Sequence, residues 1–209
     1  MTTLFRIDEI VDSPSKVGIL RVLASGKGFK ATGSEIARQA GFSVPATHES
    51  LKELHAHNVL TLEIMGKQHI YALNEEDRIV QKMIRPMFQV EAGYKGEIRS
   101  FIKEQMLCAG ILKGITSVIL YGSSQNGKAV LGSDVDIAVI VTKAGDVQRV
   151  SDAFISVIGM RFKSYFGVQL DTYIKSAAEF KERLKNNQPP VKNLMKSYAV
   201  LYGKEPLEV

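Results

Sequence analysis

Residues 117–141 read SVILYGSSQNGKAVLGSDVDIAVIV, and this stretch restricts the fold more than any other part of the chain. It holds two apolar, β-branched runs, residues 117–121 and 134–141, each the length of a strand. Gly122-Ser123 closes the first run, and Asp134-Val135-Asp136 opens the second. Side chains alternate along a strand, so Asp134 and Asp136 share one face while Val135, Ile137 and Val139 take the other. Carboxylates this close repel each other, and a divalent cation between them relieves the repulsion. Magnesium or manganese accepts such oxygen ligands, and magnesium completes its shell with water and substrate phosphates. Gly122 allows close approach of backbone to a ligand, and Ser123 and Ser124 carry the amides and hydroxyls for a phosphate.

Two loop architectures compete for this spacing. Residues 122–129, GSSQNGKA, fall one residue short of the phosphate-binding pattern GxxxxGK[ST], because Ala129 stands where a metal-holding hydroxyl is needed. That loop also feeds a long helix, and only residues 130–133 separate Ala129 from the aspartates, which excludes it. The alternative is a Gly-Ser pair on one strand, a loop, then Asp-x-Asp on the next strand. A third carboxylate, Asp171, lies in Val168-Gln169-Leu170-Asp171-Thr172-Tyr173-Ile174, whose Gln169, Asp171 and Tyr173 face opposite Val168, Leu170 and Ile174.

Gly122-Ser123 with Asp134, Asp136 and the later Asp171 resembles the signature of the nucleotidyltransferase superfamily related to DNA polymerase beta, and most closely its minimal nucleotidyltransferase branch. The resemblance covers the second half of the chain. It implies a small mixed sheet flanked by helices, and transfer of a nucleoside monophosphate, AMP from ATP being the expected case, to an acceptor hydroxyl. Asp134, Asp136 and Asp171 would then be catalytic and ligate Mg2+ or Mn2+, with Gly122, Ser123 and Ser124 on the nucleotide. Members of that branch often carry Ala-Arg-Gly after the Ser; here Gln125-Asn126-Gly127 occupies the run. The implied acceptor is a protein, an RNA or a small molecule.

The first 74 residues carry a different pattern. Ser13-Pro14 starts a helix over residues 13–25 that ends at Gly26 and Gly28, and Thr32-Gly33-Ser34-Glu35 is a capping box for a second. Residues 43–57 form a third helix with Leu51 and Leu54 inward and Thr47, His48 and Lys52 outward, and Asn58 is its left-handed cap. Leu60, Leu62 and Ile64 alternate into a turn at Gly66-Lys67, and His69, Tyr71 and Leu73 alternate out as a hairpin. Three short helices and a hairpin resemble a winged helix-turn-helix domain. The resemblance implies duplex DNA as a partner, read by Thr47, His48 and Lys52, with Lys67 at the wing tip. Glu49 and Glu53 offset Lys52, and an interaction module is the competing reading for this domain. His55-x-His57 lacks the i,i+4 spacing of a helical metal pair.

The expected fold is therefore α/β of the α+β kind: a winged helix domain at 1–74, a helical linker at 75–110 and a nucleotidyltransferase domain at 111–209. In the linker, Asn74 caps a helix that Pro86 kinks or ends, and Gly93 and Gly96 loosen the join to a second. Its apolar stripe fits docking on the catalytic domain or pairing in a homodimer. Val147, Val150, Phe154, Val157 and Ile158 line a crossover helix, Ser176-Ala177-Ala178-Glu179 caps another, and Leu194, Met195, Tyr198 and Leu201 mark a last helix ending at Gly203. The net charge of +5 suits a polyanionic partner, and the basic excess sits in residues 75–209. Cys108, the only cysteine, excludes an internal disulfide and reads as a buried helical position. No membrane-length apolar run or signal-peptide core occurs, so a cytoplasmic protein is expected. The rival function is a DNA-binding regulator whose second domain only binds nucleotide or oligomerises.

Overall fold

The computed structural model describes residues 7–122 and 133–209. The chain divides into two compact units, Met1–Tyr94 and Lys95–Val209, each mixing helices with its own sheet. Among the described residues no helix is long and apolar enough to cross a membrane.

In the first unit, helix α1 spans Ile7–Ile10 and α2 spans Pro14–Ala24, with the Ser13 side chain accepting from the Lys16 amide. Strand β1 (Lys30–Thr32) leads into α3 (Gly33–Ala40), where Thr32 accepts from the Glu35 amide and Gly41 stops the helix at φ +76°. Ser43 caps α4 (Val44–Ala56), and Asn58, at φ +63°, turns the chain into β2 (Leu60–Met65) and β3 (Gln68–Leu73). The sheet has three strands in the order β1-β3-β2, one more than the hairpin read from the sequence. A three-residue strand is too short to reveal itself by alternation. Ile19, Leu20, Leu23, Ile36, Leu51, Leu54, Tyr71 and Leu73 form one buried cluster. Full burial of each such aliphatic side chain stabilises by roughly 1.5–3 kcal/mol.

The linker differs from expectation in detail. Asn74 Oδ1 accepts from the Glu76 amide, whereas Asp77 Oδ1 accepts from Ile79 and Val80 and starts the helical stretch. A π-helical turn (Val80–Ile84) precedes α5, which runs uninterrupted over Arg85–Cys108. Pro86 lies in its first turn, where a missing N–H costs least, and Gly93 and Gly96 lie within it. Cys108 is exposed, not buried: Met106 takes the core face and Leu107 and Cys108 turn away from it.

The second unit continues with β4 (Ile115–Tyr121) and β5 (Val135–Val141). Helix α6 (Val147–Ala153), a π-helical turn (Phe154–Ile158) and α7 (Gly159–Phe166) form the crossover to β6 (Leu170–Ser176). Val150, Phe154, Ile158 and Phe162 are buried, while Val157 lies 42% exposed off that face. Helix α8 (Ala177–Lys185) opens on a complete Ser176–Glu179 capping box. Helix α9 is only Val191–Leu194, and the expected last helix gives way to a strand, β7 (Tyr198–Gly203). Tyr198, Val200 and Tyr202 alternate, and β7 finds hydrogen-bonding partners on β4 that no isolated helix could offer. The sheet order is β6-β5-β4-β7, with β5 and β6 parallel and the other pairs antiparallel. Ile119, Ala138 and Ile140 cluster with Phe180, Val191 and Leu194.

Candidate active site

The candidate site lies at one end of the four-stranded sheet, where strand register does the assembling. Tyr121 on β4 stands opposite both Tyr198 on β7 and Asp136 on β5, and Asp136 stands opposite Asp171 on β6. Residues opposite in register share a face, so Tyr198, Tyr121, Asp136 and Asp171 form one row across the sheet. Asp134 shares that face by the period of two and sits just before β5 begins. Asp134 and Asp171 are exposed, and Asp136 is half-buried.

Gly122 ends β4 at φ +79°, in the region that favours glycine. A Cβ there would lie 2.1 Å from Asp136 Oδ2, so the Asp136 carboxylate occupies the space any other residue would fill. Burial raises the Asp136 carboxyl above its ordinary range, and the charges of Asp171 and Asp134 raise it further. The Tyr121 phenol is pushed up to about 12, by burial first and then by Asp136, Asp171 and Tyr173. It stays a neutral hydroxyl beside the carboxylates at physiological pH. Two residues along the same face from Asp171, the Tyr173 hydroxyl is buried without a hydrogen-bond partner among the described residues.

Among the described residues, no three His, Cys, Asp or Glu side chains converge as a ready metal centre. What the sheet presents is a pair in register, Asp136 and Asp171, with Asp134 at the strand entry and coupled to Asp136 through its charge. Mutual repulsion keeps such carboxylates apart until a cation joins them. All-oxygen, anionic and partly exposed, the set suits a hard divalent cation in its chemistry. Ser123, Ser124, the Gln125-Asn126-Gly127 run and Lys128 lie outside the described residues.

The aromatic members of the row escaped the sequence reading. The apolar spacing around Tyr198 also fits a helix; the alternation in Tyr198-Ala199-Val200-Leu201-Tyr202, closed by Gly203, is the signal of a strand. Tyr121 reads as the last residue of an apolar run, and only register with Asp136 reveals its position.

In the first unit, His48, Lys52 and Lys67 are exposed, and Thr47 is not. Thr47 is 0% exposed because Thr47, Ser50, Leu51 and Leu54 follow the i, i+3, i+4, i+7 spacing of the core face of α4. Thr47 therefore belongs to the core and not to a surface contact, its hydroxyl buried without a hydrogen-bond partner among the described residues. His48 and Lys67 line one cleft of about 440 Å³ with Thr32, Ser34, His69 and Tyr71, and Lys52 lies outside that lining. Glu53 pairs with Lys16 at 2.6 Å rather than serving Lys52.

Residues 96–199 match the family model described as a nucleotidyltransferase domain. No curated protein matches the chain. Among solved structures, a predicted DNA-binding transcriptional regulator from E. coli aligns at 18% identity, over 40% of this chain and 84% of that one, with a TM-score of 0.35. A toxin-antitoxin structure with AMP-PNP aligns at 15% identity, over 51% of this chain and 74% of that one, also at 0.35. Human N-acetylserotonin methyltransferase in complex with SAM aligns at 11% identity over 82% and 62%, at 0.32. TM-scores this low establish neither a shared fold nor a shared function.

Proposed function

We propose that the nucleotidyltransferase domain at residues 96–199 transfers a nucleoside monophosphate, AMP from ATP as the leading case, to an acceptor hydroxyl and releases pyrophosphate. The observation that carries this reading is the in-register Asp136–Asp171 pair, with the Asp136 carboxylate packed over Gly122. Asp134, Asp136 and Asp171 would hold magnesium or manganese; a bound divalent cation supplies charge neutralisation at the attacking and leaving oxygens. Asp171, exposed at the end of the row, accepts the proton of the acceptor hydroxyl. Gly122 lets the triphosphate approach the backbone, and Ser123 and Ser124 donate to it. The neutral Tyr121 phenol walls the carboxylates on the β4 side. Phosphoryl chemistry of this kind depends on positioning and charge compensation, which suits a site built from strand register. The acceptor is a protein side chain, an RNA or a small molecule.

The first unit, in the same proposal, is a winged helix that binds duplex DNA through His48 and Lys52 of α4 and Lys67 at the β2–β3 tip. Incubating the full chain with labelled triphosphates, magnesium or manganese and a lysate of the source cell tests the transfer. A labelled acceptor is expected, and Asp136→Asn should cut labelling on the order of a thousandfold, as loss of several kcal/mol at the transition state requires. No binding heat with any triphosphate and either cation would sink the enzyme reading. Nucleotide binding without transfer, together with a salt-sensitive gel shift on duplex DNA, would select a DNA-binding regulator instead.

A further inference from the structure

The sheet of the second unit ends on β6, and among the described residues no strand pairs with its outer edge. The Val135 amide donates to the Gln169 carbonyl at 2.9 Å, and the parallel register runs from Val135↔Leu170 to Val141↔Ser176. In a parallel pair, alternate residues turn both backbone groups toward the neighbour. Gln169, Asp171, Tyr173 and Lys175 therefore face β5, and Leu170, Thr172 and Ile174 turn their N–H and C=O away from the sheet. The next outward amide, Ser176, donates to Glu179 in the capping box, so the open ladder is residues 170–174. Proteins blunt such edges with charged side chains, proline, bulges or cover, and the two charges of β6, Asp171 and Lys175, are of opposite sign. Here β6 has no proline and no register shift against β5. Beside it lies a groove of about 370 Å³ of mixed character, lined by Ile155, Met160 and Leu170 together with Lys163, Gln169 and Thr172. Ile155 and Met160 are 70% and 65% exposed.

We propose that β6 is a self-association edge, pairing antiparallel with β6 of a second copy about a two-fold axis at Tyr173. A strand can meet its own copy about several residues, and charge selects among them. Centring on Tyr173 sets Thr172 opposite the partner's Ile174, with outward backbone groups on both. It also sets Asp171 opposite the partner's Lys175, and the two-fold axis makes that pair twice. Centring on Thr172 sets Asp171 against the partner's Tyr173, and centring on Ile174 sets Lys175 against the partner's Tyr173, so neither charge is matched. Opposite charges on facing residues favour the register. Lys175 meets Glu179 of its own copy at only 3.4 Å, which leaves further donors on the ammonium. A two-fold axis perpendicular to the sheet keeps its faces matched, so the groove of each copy flanks the new strand pair on one side. The occupant is a second copy because the sequence of this strand is charge-complementary to itself.

Sedimentation equilibrium of the full chain tests this. The wild type should be a dimer, Lys175→Glu should self-associate about tenfold or more weakly, and the swap Asp171→Lys with Lys175→Asp should recover the dimer. Disulfide trapping fixes the register independently of affinity. In a Cys108→Ser background, chains carrying Asp171→Cys or Lys175→Cys should cross-link when mixed and not alone. A wild type that stays monomeric at its highest soluble concentration, a Lys175→Glu chain that dimerises equally well, or single-cysteine chains that cross-link with themselves would each overturn the proposal. A monomer would leave the edge to an extended segment of another protein.

Discussion

Lys16 in the first unit and Asp136 in the second are both charged groups drawn out of bulk water, with opposite surroundings. The Lys16 ammonium lies 2.6 Å from Glu53 and 3.0 Å from Asp12, and donates to the Glu9 carbonyl at 2.7 Å. Burial alone would lower its pKa, yet the bonds to Glu53 and Asp12 leave it raised. Asp136 has burial, Asp171 and Asp134 all acting in one direction, against its charged form. A charge that ties α2 to α4 is neutralised inside the fold. One left facing its own kind is stabilised only when something else arrives, and that asymmetry separates a structural ion from a site residue.

The largest expected stability effect breaks the first half of this contrast. Lys16→Met removes every donor at once and should cost about 2 kcal/mol in denaturant unfolding of the full chain, below the full cost of an uncompensated buried ion. The reason is that Asp12 and Glu53 are 47% and 50% exposed and can be rehydrated. An unchanged midpoint would mean that the ion pairs contribute nothing net.

A smaller effect is expected at the glycine beneath Asp136. Gly122→Ala meets both a positive φ and the carboxylate, so a loss of about 1 kcal/mol and weaker nucleotide binding should follow. Combining it with Asp136→Ala removes the collision and leaves the backbone strain, so part of the lost stability should return. Full additivity of the two changes would show that the carboxylate does not occupy that space.

The smallest effect has an unusual sign. Asp136→Asn should raise the melting temperature of the metal-free protein by roughly 1–3 °C at neutral pH, since it removes a repelled charge. The folded carboxyl titrates above its unfolded value, so the folded state binds the proton first as pH falls. Destabilisation by the wild-type charge is complete above the folded pKa and gone below the unfolded value near 4, and the gap to Asn should close over that acidic interval. Magnesium with nucleotide should reverse the order at neutral pH by stabilising only the wild type. A gap that persists unchanged in acid would show that the repulsion is not its origin.

Much of this architecture was legible because it rests on short-range chemistry. Ser13, Thr32, Ser43 and Ser176 announce helix starts, since a side-chain oxygen can reach the amides two or three residues on. Asp134-x-Asp136 announces a shared face by the period of two alone. Thr47 was misread because it stands one turn from Leu51 and a hydroxyl looks like a surface group, although its spacing places it on the core face. Tyr198 to Gly203 was misread because apolar residues at mixed spacings fit helix and strand alike until a partner strand exists.

Local sequence by itself determined the capped helices, the left-handed turns at Gly41 and Asn58, and a pair of carboxylates on one strand face. Tertiary structure alone decided that Asp171 stands beside Asp136 and that Tyr121 and Tyr198 complete the row. It alone also decided that the Asp136 carboxylate rests where a Cβ of residue 122 would be. The reason is range: caps and alternation act across a few residues through the backbone, whereas strand register joins positions 15, 35 and 77 apart and exists only once the sheet has closed.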